Sequence, residues 1–344
     1  MSYPNVLKLT KPRAYEKSEA YRRKVTRGEY ALAMIELAYR YECNLACGHC
    51  YASRLGGGPR RLRVEDVKRI SAEADQAGVF QFNLQGGEPL MWEDLDEVIK
   101  AIRPEFFHIT VTTNAKLLDR GTAARLKGLG VDKISCSLDS FNEEKNDLSR
   151  GEKGIYRKVL RGLSLVKEAG LQVCINTVAV KGGVKTPETL ELAEFAQKNG
   201  FTVLFLPAVP IGEWEGRYDV LITDEEAGYI KELSEKYPAV RRDVFPAYGI
   251  NYGCRTMNGL VYITENGDLL GCPFIHVSIG NVLDEPLADI LKKGWKVKFF
   301  RDHNPKCLAA EDREFIGKII AKTFGKKGPI GMEEAFDRDD LYRE

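Results

Sequence analysis

Short apolar runs rich in β-branched residues alternate with helix-length amphipathic stretches over residues 33–207. Successive runs begin roughly 25 to 45 residues apart, a spacing typical of βα units. The pattern predicts six strands, at Met34–Tyr39, Val79–Leu84, His108–Thr112, Lys133–Leu138, Gln172–Ala179 and Val203–Val209. It predicts five helices between them, at Val64–Gln76, Leu95–Arg103, Thr122–Leu129, Ile155–Ala169 and Glu188–Lys198. This alternation favours a parallel sheet with right-handed crossovers.

The number of units and a change of pattern near Leu221 indicate the domain organisation. Six units are too few to close an eight-stranded barrel, so the predicted fold class is α/β, with a partial (β/α)6 TIM-like barrel. A helix at Asp224–Lys236 is followed by a β-hairpin, whose turn is the Asn266-Gly267 pair favoured in type I′ turns. A last helix is predicted at Glu311–Phe324, in a small C-terminal α+β domain. The predicted boundaries are 1–32, 33–222 and 223–344.

The composition is that of an ordinary globular protein. The 344 residues are 44% hydrophobic and 29% charged, which excludes collagen, coiled coil and wholesale disorder. The net charge of +1 gives no electrostatic reason to expect nucleic acid or an anionic membrane as a partner. No apolar stretch approaches the roughly 18 residues of a membrane span, and the polar N-terminus lacks a signal region, so we predict a cytoplasmic location. The first 30 residues and the tail after Lys326 are predicted to be solvated.

Three cysteines, Cys43, Cys47 and Cys50, form a Cys-x3-Cys-x2-Cys motif just after the first predicted strand. In a reducing compartment, spaced cysteines usually indicate metal binding or catalysis. Structural zinc usually takes four ligands in two pairs, and His49 is poorly placed to complete a tetrahedron with its neighbour Cys50. Three thiolates suit a [4Fe–4S] cluster with one uncovered iron, because each thiolate holds one corner. Zinc, a disulfide or buried core cysteines remain the alternatives.

The motif resembles that of the radical S-adenosylmethionine (radical SAM) enzymes, in which an aromatic residue or a histidine, here His49, precedes the last cysteine. The resemblance covers roughly residues 33–210. It implies that the uncovered iron chelates the amino and carboxylate groups of SAM. An electron from the cluster then cleaves SAM to methionine and a 5′-deoxyadenosyl radical, which takes a hydrogen atom from a substrate. The resemblance also implies a reducing electron donor such as flavodoxin or ferredoxin.

Further motifs follow in the family's order, near the C-terminal ends of predicted strands, where parallel barrels place their sites. Gly86-Gly87-Glu88-Pro89 is similar to the family's GGE motif, whose glycines let the backbone approach the SAM ammonium and whose carboxylate can help hold it. Thr113-Asn114 resembles the family's Thr-Asn-Gly motif, with Ala115 in place of the glycine. Ser137-Leu138-Asp139 resembles the Ser-x-Asp stretch that contacts the ribose in the family. Arg150 stands where the family often has an arginine for the SAM carboxylate, a task that suits a guanidinium. Taken singly, each motif has an ordinary explanation as a turn, helix cap or surface charge. The resemblance assigns to SAM the residues Gly86, Gly87, Glu88, Pro89, Asn114, Ser137, Asp139, Arg150 and Asn176.

A second cysteine group lies in the C-terminal domain. Cys254, Gly267 and Cys272 form Cys-x12-Gly-x4-Cys, similar to the opening of the SPASM and shorter Twitch domains that bind auxiliary [4Fe–4S] clusters. Only Cys307 follows, which limits the expectation to one auxiliary cluster. Its fourth iron is then either open to substrate or held by one of Glu311, Asp312, His303 and His276. Alternatively, Cys307 is an ordinary residue and the domain has lost its metal.

Two cysteines remain outside these groups. Because side chains alternate across a strand, Cys136 is expected to pack against the outer helices if Ser137 and Asp139 face the interior. Cys174 shares a face with Asn176, and a thiol there could donate a hydrogen atom to a product radical, as in some epimerases of this family. Burial as a small apolar residue is the alternative for Cys174.

The predicted function is therefore that of a radical SAM enzyme that oxidises, epimerises or similarly alters its substrate. Only 42 residues precede Cys43, too few for the leader-binding module of many peptide-modifying relatives, so a small polar metabolite is the predicted substrate. Peptide modification and porphyrin side-chain chemistry are the alternatives within the family. A non-enzymatic iron–sulfur or zinc protein is the alternative from another class.

Overall fold

The computed structural model describes residues 3–245 and 253–343. The strands are Met34–Ala38 (β1), Gln81–Gln85 (β2), His108–Thr113 (β3), Lys133–Ser137 (β4), Gln172–Ala179 (β5), Thr202–Pro207 (β6), Val240–Arg242 (β7), Leu260–Ile263 (β8), Asp268–Leu270 (β9), Val277–Asn281 (β10) and Ile330–Gly331 (β11). The helices are Tyr3–Thr10 (α1), Pro12–Thr26 (α2), Val64–Gln76 (α3), Leu95–Ile102 (α4), Arg120–Gly128 (α5), Glu143–Arg150 (α6), Ile155–Glu168 (α7), Pro187–Asn199 (α8), Asp224–Lys236 (α9), Leu287–Gly294 (α10), Lys298–Arg301 (α11), Arg313–Lys318 (α12) and Met332–Ala335 (α13).

All the strands belong to one sheet, in the order β11-β10-β9-β8-β1-β2-β3-β4-β5-β6-β7. The six predicted strands, β1 to β6, each pair in parallel with their neighbours, which confirms the α/β partial-barrel class. Two further parallel strands extend this run, because β7 pairs with β6 and β8 pairs with β1. The described residues form no ladder between β7 and β8, so this barrel wall is open there.

Alternating side chains of the strands separate the core from the lumen. Ile35 and Leu37 of β1 are fully buried in the main hydrophobic core, whereas Glu36 between them lines the barrel cavity. The same alternation on β4 places Cys136 in the core, as predicted, and Ser137 on the cavity wall. One face of each strand therefore packs against the helices, and the other face lines the lumen with both polar and apolar side chains.

The C-terminal hairpin extends the sheet of the barrel. β8 and β9 pair antiparallel, as predicted, and Gly267 in their turn has a φ of 88°. β10 then pairs antiparallel with β9. The last predicted helix is shorter than expected, with α12 followed by a 3₁₀ turn at Ile320–Thr323. Because β8 continues the barrel sheet, the two predicted domains share one sheet, and their boundaries stay a prediction.

One face of the N-terminal segment packs against the barrel, so the prediction that the whole segment is solvated is wrong. Lys11 donates hydrogen bonds to the carbonyls of Phe107 (2.9 Å) and Gly130 (2.7 Å), beside the starts of β3 and β4. Tyr21 of α2 is buried with its ring 5.8 Å from that of Phe80. Helix α2 thus covers the N-terminal end of the barrel.

The tail after Lys326 is also packed against the rest of the chain, because its Ile330 and Ala335 are buried. Within the described ranges, no helix has the length and apolar character needed to cross a bilayer.

Candidate cluster and cofactor site

A continuous cavity of about 500 Å³ occupies the barrel lumen. Cys43, Cys47 and Cys50 line it in the loop that follows β1, and Cys272 lines it after β9. Leu270 of β9 pairs with Tyr262 of β8, and Tyr262 pairs with Glu36 of β1. Because β9 runs antiparallel to β8 and β1, Cys272, two residues after Leu270, lies toward the N-terminal end of β1. The first cysteine group and Cys272 of the second therefore lie toward opposite ends of β1 and line one cavity.

The first cysteine loop is positioned by glycines from three neighbouring segments. A Cβ atom on Gly87, Gly151 or Gly212 would overlap backbone atoms of residues 41–51. Backbone hydrogen bonds fix the same contacts, from the N–H of Gly87 to the carbonyl of Arg40 (3.0 Å) and from Glu213 to Cys50 (3.0 Å). The close approach explains why the chain has glycine at these positions.

The three thiols of this loop fit a polynuclear centre better than a single ion. All are free cysteines, with Cys43 exposed and Cys47 and Cys50 half-buried. Among the described residues, no group of three or more His, Cys, Asp or Glu side chains could hold one metal ion. A [4Fe–4S] cluster needs no such convergence, because each thiolate binds a different iron. Burial raises the pKa of Cys50 to about 11, so a bound metal would have to displace its proton.

The carboxylate of Glu88 points into the protein rather than into the cavity. It is fully buried and accepts hydrogen bonds from the Thr113 hydroxyl (2.6 Å) and from the backbone N–H of Asn114 (2.7 Å) and Leu90 (3.0 Å). Burial raises its pKa, while these donors stabilise the ionised form. Glu88 therefore joins the end of β3 to the loop after β2. Pro89 is also buried, at the start of a 3₁₀ turn.

The segment after β3 reaches the first cysteine. The amide of Asn114 donates to Asn44 Oδ1 (2.8 Å) and lies 3.8 Å from Cys43 Sγ. Ala115 has a φ of 63°, in the left-handed region that favours glycine. The Thr-Asn-Gly motif that this segment resembles has a glycine at the position of Ala115, and this conformation explains why.

Arg150 and Asp139 form a buried ion pair beside Cys47. Arg150 Nη2 lies 2.6 Å from Asp139 Oδ1, and Arg150 Nη1 lies 4.0 Å from Cys47 Sγ. Asp139 also accepts from Ser149 Oγ (3.0 Å) and lies 3.4 Å from His49 Nε2. Burial opposes ionisation of Asp139, but the Arg150 charge outweighs it and lowers the pKa. Asp139 and His49 face a second cavity of about 260 Å³.

The lumen wall carries polar groups that the sequence did not single out. Glu36 accepts a hydrogen bond from the amide of Asn83 (3.2 Å), whose oxygen accepts from Thr112 Oγ1 (2.9 Å). Burial raises the pKa of Glu36 to about 7. A charged residue inside the apolar strand β1 was the available signal for it. Cys174 and Asn176 line the same lumen, with Cys174 Sγ 3.6 Å from Asn176 Oδ1.

The second cysteine group is also assembled. Burial raises the pKa of Cys307 well above its ordinary value, and the nearby Asp243, Cys254 and Cys272 raise it further. Cys254 is held by its backbone N–H, which donates to the carbonyl of Asn304 (2.8 Å). Three thiols close enough to affect one another's ionisation fit a second cluster.

The residues predicted as alternative fourth ligands differ in their surroundings, and that assignment stays a prediction. Glu311 pairs with Arg242 and accepts from the backbone N–H of Cys307 (3.0 Å). Asp312 caps α12, and His303 is exposed. His276 is buried, its Nε2 has no hydrogen-bond partner among the described residues, and burial lowers its pKa to about 4.

Asp243 is a second carboxylate that lines the lumen near these thiols, besides Glu36. Its position could not be predicted, because it follows β7, a strand that the pattern does not indicate.

Family models match both cysteine regions of the chain. Residues 41–196 match the model described as "Radical SAM superfamily", and residues 254–310 match SPASM, an "Iron-sulfur cluster-binding domain". A "GTP 3',8-cyclase" of Aliarcobacter butzleri is 30% identical over 82% of this chain and 94% of its own length. An "AdoMet-dependent heme synthase" of Nitratidesulfovibrio vulgaris is 23% identical over 85% of this chain and 88% of its own length.

Solved structures share the fold. SuiB of Streptococcus suis bound to S-adenosylmethionine has a TM-score of 0.63 at 18% identity, covering 89% of this chain and 77% of that one. Native anSMEcpe with bound AdoMet has a TM-score of 0.61 at 19% identity, covering 90% of this chain and 92% of that one.

Proposed function

Since the chain belongs to the radical SAM superfamily, we propose that its lumen holds a small polar substrate between two iron–sulfur clusters. The chain is an enzyme of this superfamily, with a [4Fe–4S] cluster that binds SAM and an auxiliary cluster of the SPASM type. Reductive cleavage of SAM supplies the 5′-deoxyadenosyl radical that abstracts a hydrogen atom from the substrate. The observation that carries the proposal is the single cavity that all three cysteines of the first group and Cys272 of the second group line.

The cysteines are assigned to the two clusters by their positions. Cys43, Cys47 and Cys50 would hold the SAM cluster, and Cys254, Cys272 and Cys307 would hold the auxiliary cluster. Arg150 and Asn114 approach the sulfurs of the first group with N–H groups, which stabilises negative charge on them. We propose Asp243 as a further candidate beside the auxiliary cluster, in addition to an iron open to substrate and to the four residues named from the sequence.

The SAM-binding assignments divide into contact and positioning residues. Gly86, Gly87, Asn114, Ser137, Arg150 and Asn176 line the cavity and are proposed to contact SAM. Glu88, Pro89 and Asp139 are proposed as positioning residues, because the carboxylates are already hydrogen-bonded and Pro89 is buried. Glu88 holds Asn114, and Asp139 holds Arg150.

The volume of the lumen supports a small substrate over a folded or extended peptide. Polar groups of Glu36, Asn83 and Thr112 line its wall, which suits hydroxyl or amine groups of a metabolite. Cys174 supports an epimerisation, in which its thiol would return a hydrogen atom to the substrate radical. The auxiliary cluster supports an oxidation, in which the substrate electron leaves toward Cys272. We place the oxidation first, because it gives the second cysteine group a function.

Two further assignments concern the surroundings of the enzyme. We propose an electron donor of the flavodoxin or ferredoxin type, because the SAM cluster needs a one-electron reductant. The eight cysteines are all free thiols, which supports a reducing compartment such as the cytoplasm.

The experiment has two parts, both under anaerobic conditions. Iron and sulfide are reconstituted into the protein, and two clusters predict about eight irons per chain. Fractions of a cell extract, one of small metabolites, one of peptides and one of porphyrins, are then added with SAM and dithionite. The proposal predicts that the small-metabolite fraction raises 5′-deoxyadenosine formation above the rate with SAM alone. Stimulation by the peptide or porphyrin fraction alone would contradict the substrate assignment.

A further inference from the structure

Lys133, the first residue of β4, lies at the covered end of the lumen. It lines the cavity together with Tyr21 of α2, the helix that covers the N-terminal end of the barrel. The side chain is half-buried, and its ammonium has no hydrogen bond or ion pair to any residue that the structure describes. Other cations that line the lumen are paired, such as Arg150 with Asp139 and Arg242 with Glu311.

A second unpaired polar group lies next to Lys133. Thr110 on β3 is its register partner on the adjacent strand, and Thr110 also lines the cavity. The Thr110 hydroxyl is buried and has no hydrogen-bond partner. Buried polar groups are rarely left unpaired, because each loses its hydrogen bonds to water without replacement. An ammonium and a hydroxyl side by side are therefore available to a ligand.

The charge of the lumen favours an anion at this position. The charged side chains that line it are the basic Lys133, Arg150, Arg241, Arg242 and Arg255 and the acidic Glu36 and Asp243. Glu36 is on β1, three strands away from β4, and Asp243 follows β7 at the far edge of the parallel strands. Neither carboxylate pairs with Lys133.

We propose that Lys133 and Thr110 bind an anionic oxyacid group, a carboxylate or a phosphate, of the substrate. This inference rests on the proposed function and adds the chemical class of the substrate. Ser137, four residues later on β4, lies at the mouth of the lumen, about 13 Å from Lys133 at about 3.3 Å per residue. The substrate is then a metabolite whose acidic group lies several bonds from the carbon that loses its hydrogen atom.

The test measures whether small anions shield Lys133. The reconstituted enzyme is saturated with SAM without reductant, so that the SAM carboxylate site is filled. It is treated with an amine-acylating reagent in the presence of inorganic phosphate, of succinate or of chloride at matched ionic strength. Mass spectrometry then reads the acylation of each lysine. At ten times its dissociation constant, a probe leaves about one-eleventh of the sites free, so acylation of Lys133 is expected to slow about tenfold.

The controls make each outcome decisive. Lys100 on α4 is exposed and distant from the lumen, so its acylation is expected to stay unchanged. Protection by phosphate alone or by succinate alone identifies the acid, and protection of Lys133 by neither overturns the proposal. Calorimetric binding of the protecting anion provides a second measurement, in which Lys133→Gln should lose about tenfold or more in affinity and Lys100→Gln none. Equal affinities of Lys133→Gln and Lys100→Gln for the anion would also refute the proposed anion site.

SAM cleavage by the unmodified enzyme is measured in parallel. If 5′-deoxyadenosine forms but no anion protects Lys133, the anion site fails and the proposed function stands. If no 5′-deoxyadenosine forms, the proposed function itself fails.

Discussion

Glu88→Gln tests whether a buried carboxylate positions the segment that reaches Cys43. Only donors surround this carboxylate, namely the backbone N–H groups of Leu90 and Asn114 and the hydroxyl of Thr113. The backbone N–H of Leu90 donates to one carboxylate oxygen and that of Asn114 to the other, and a backbone N–H can only donate. In either orientation, the amide group of glutamine therefore places a donor against a donor.

The expected magnitude follows from these contacts. A hydrogen bond to a charged group contributes about 1.5–3 kcal/mol, and the variant loses at least one of the three. We expect Glu88→Gln to lower the free energy of unfolding by about 2 kcal/mol. If all of this 2 kcal/mol is lost from the conformation that binds SAM, the apparent affinity for SAM decreases by up to about 30-fold.

The assay combines a urea unfolding curve with the SAM dependence of 5′-deoxyadenosine formation. Glu93→Gln is the matched control, because Glu93 is exposed and five residues further along the chain. The control should keep both the urea midpoint and the KM for SAM of the unmodified enzyme. A Glu88→Gln protein with the same midpoint and the same KM as Glu93→Gln would refute the positioning role.

Three further predictions concern the two clusters and the lumen. Gly87→Ala places a Cβ against the backbone of residues 41–42, so the iron content after reconstitution should fall. Gly128→Ala places its Cβ in open space and should keep the iron content of the unmodified protein. Equal iron contents in the two variants would contradict the packing argument. Cys307→Ala should reduce iron from about eight to about four per chain, and an unchanged iron content would exclude Cys307 as a ligand. Burial raises the pKa of Glu36 from 4.5 to about 7, so the folded chain should lose stability as pH rises through this interval. Urea midpoints of Glu36→Gln should fall less over that range, and parallel pH profiles would contradict the raised pKa.

Much of the barrel could be predicted from the sequence because local patterns determine it. The strands β1 to β6 are apolar runs long enough to recognise, and the hairpin turn carries its own Asn-Gly signal. β7 could not be recognised, because Val240-Arg241-Arg242 is short and mostly charged and is a strand only through its pairing with β6. The docking of α2 was missed although Ala14, Ser18 and Tyr21 mark one buried helical face.

The candidate site also combines features set by local sequence patterns with features set by long-range contacts. The two cysteine groups can be recognised from their spacing. The approach of Cys272 to the cavity of the first group depends on the parallel pairing of β8 with β1, between residues more than 200 positions apart. The Glu88 carboxylate points into the protein because the Thr113 hydroxyl and the Asn114 N–H, at the end of β3, donate hydrogen bonds to it. Asp243 and Lys133 stand out only once the lumen brings together residues from distant strands. Such long-range contacts decide which predicted residues face the cavity.

The central claim is that Cys43, Cys47 and Cys50 hold the centre that cleaves SAM. Its most direct test is the rate of 5′-deoxyadenosine formation from SAM and dithionite by Cys47→Ala, compared with Cys136→Ala, whose cysteine is buried in the core. We predict that Cys47→Ala forms none above the rate without enzyme, while Cys136→Ala keeps the rate of the unmodified protein. Undiminished formation by Cys47→Ala would contradict the claim.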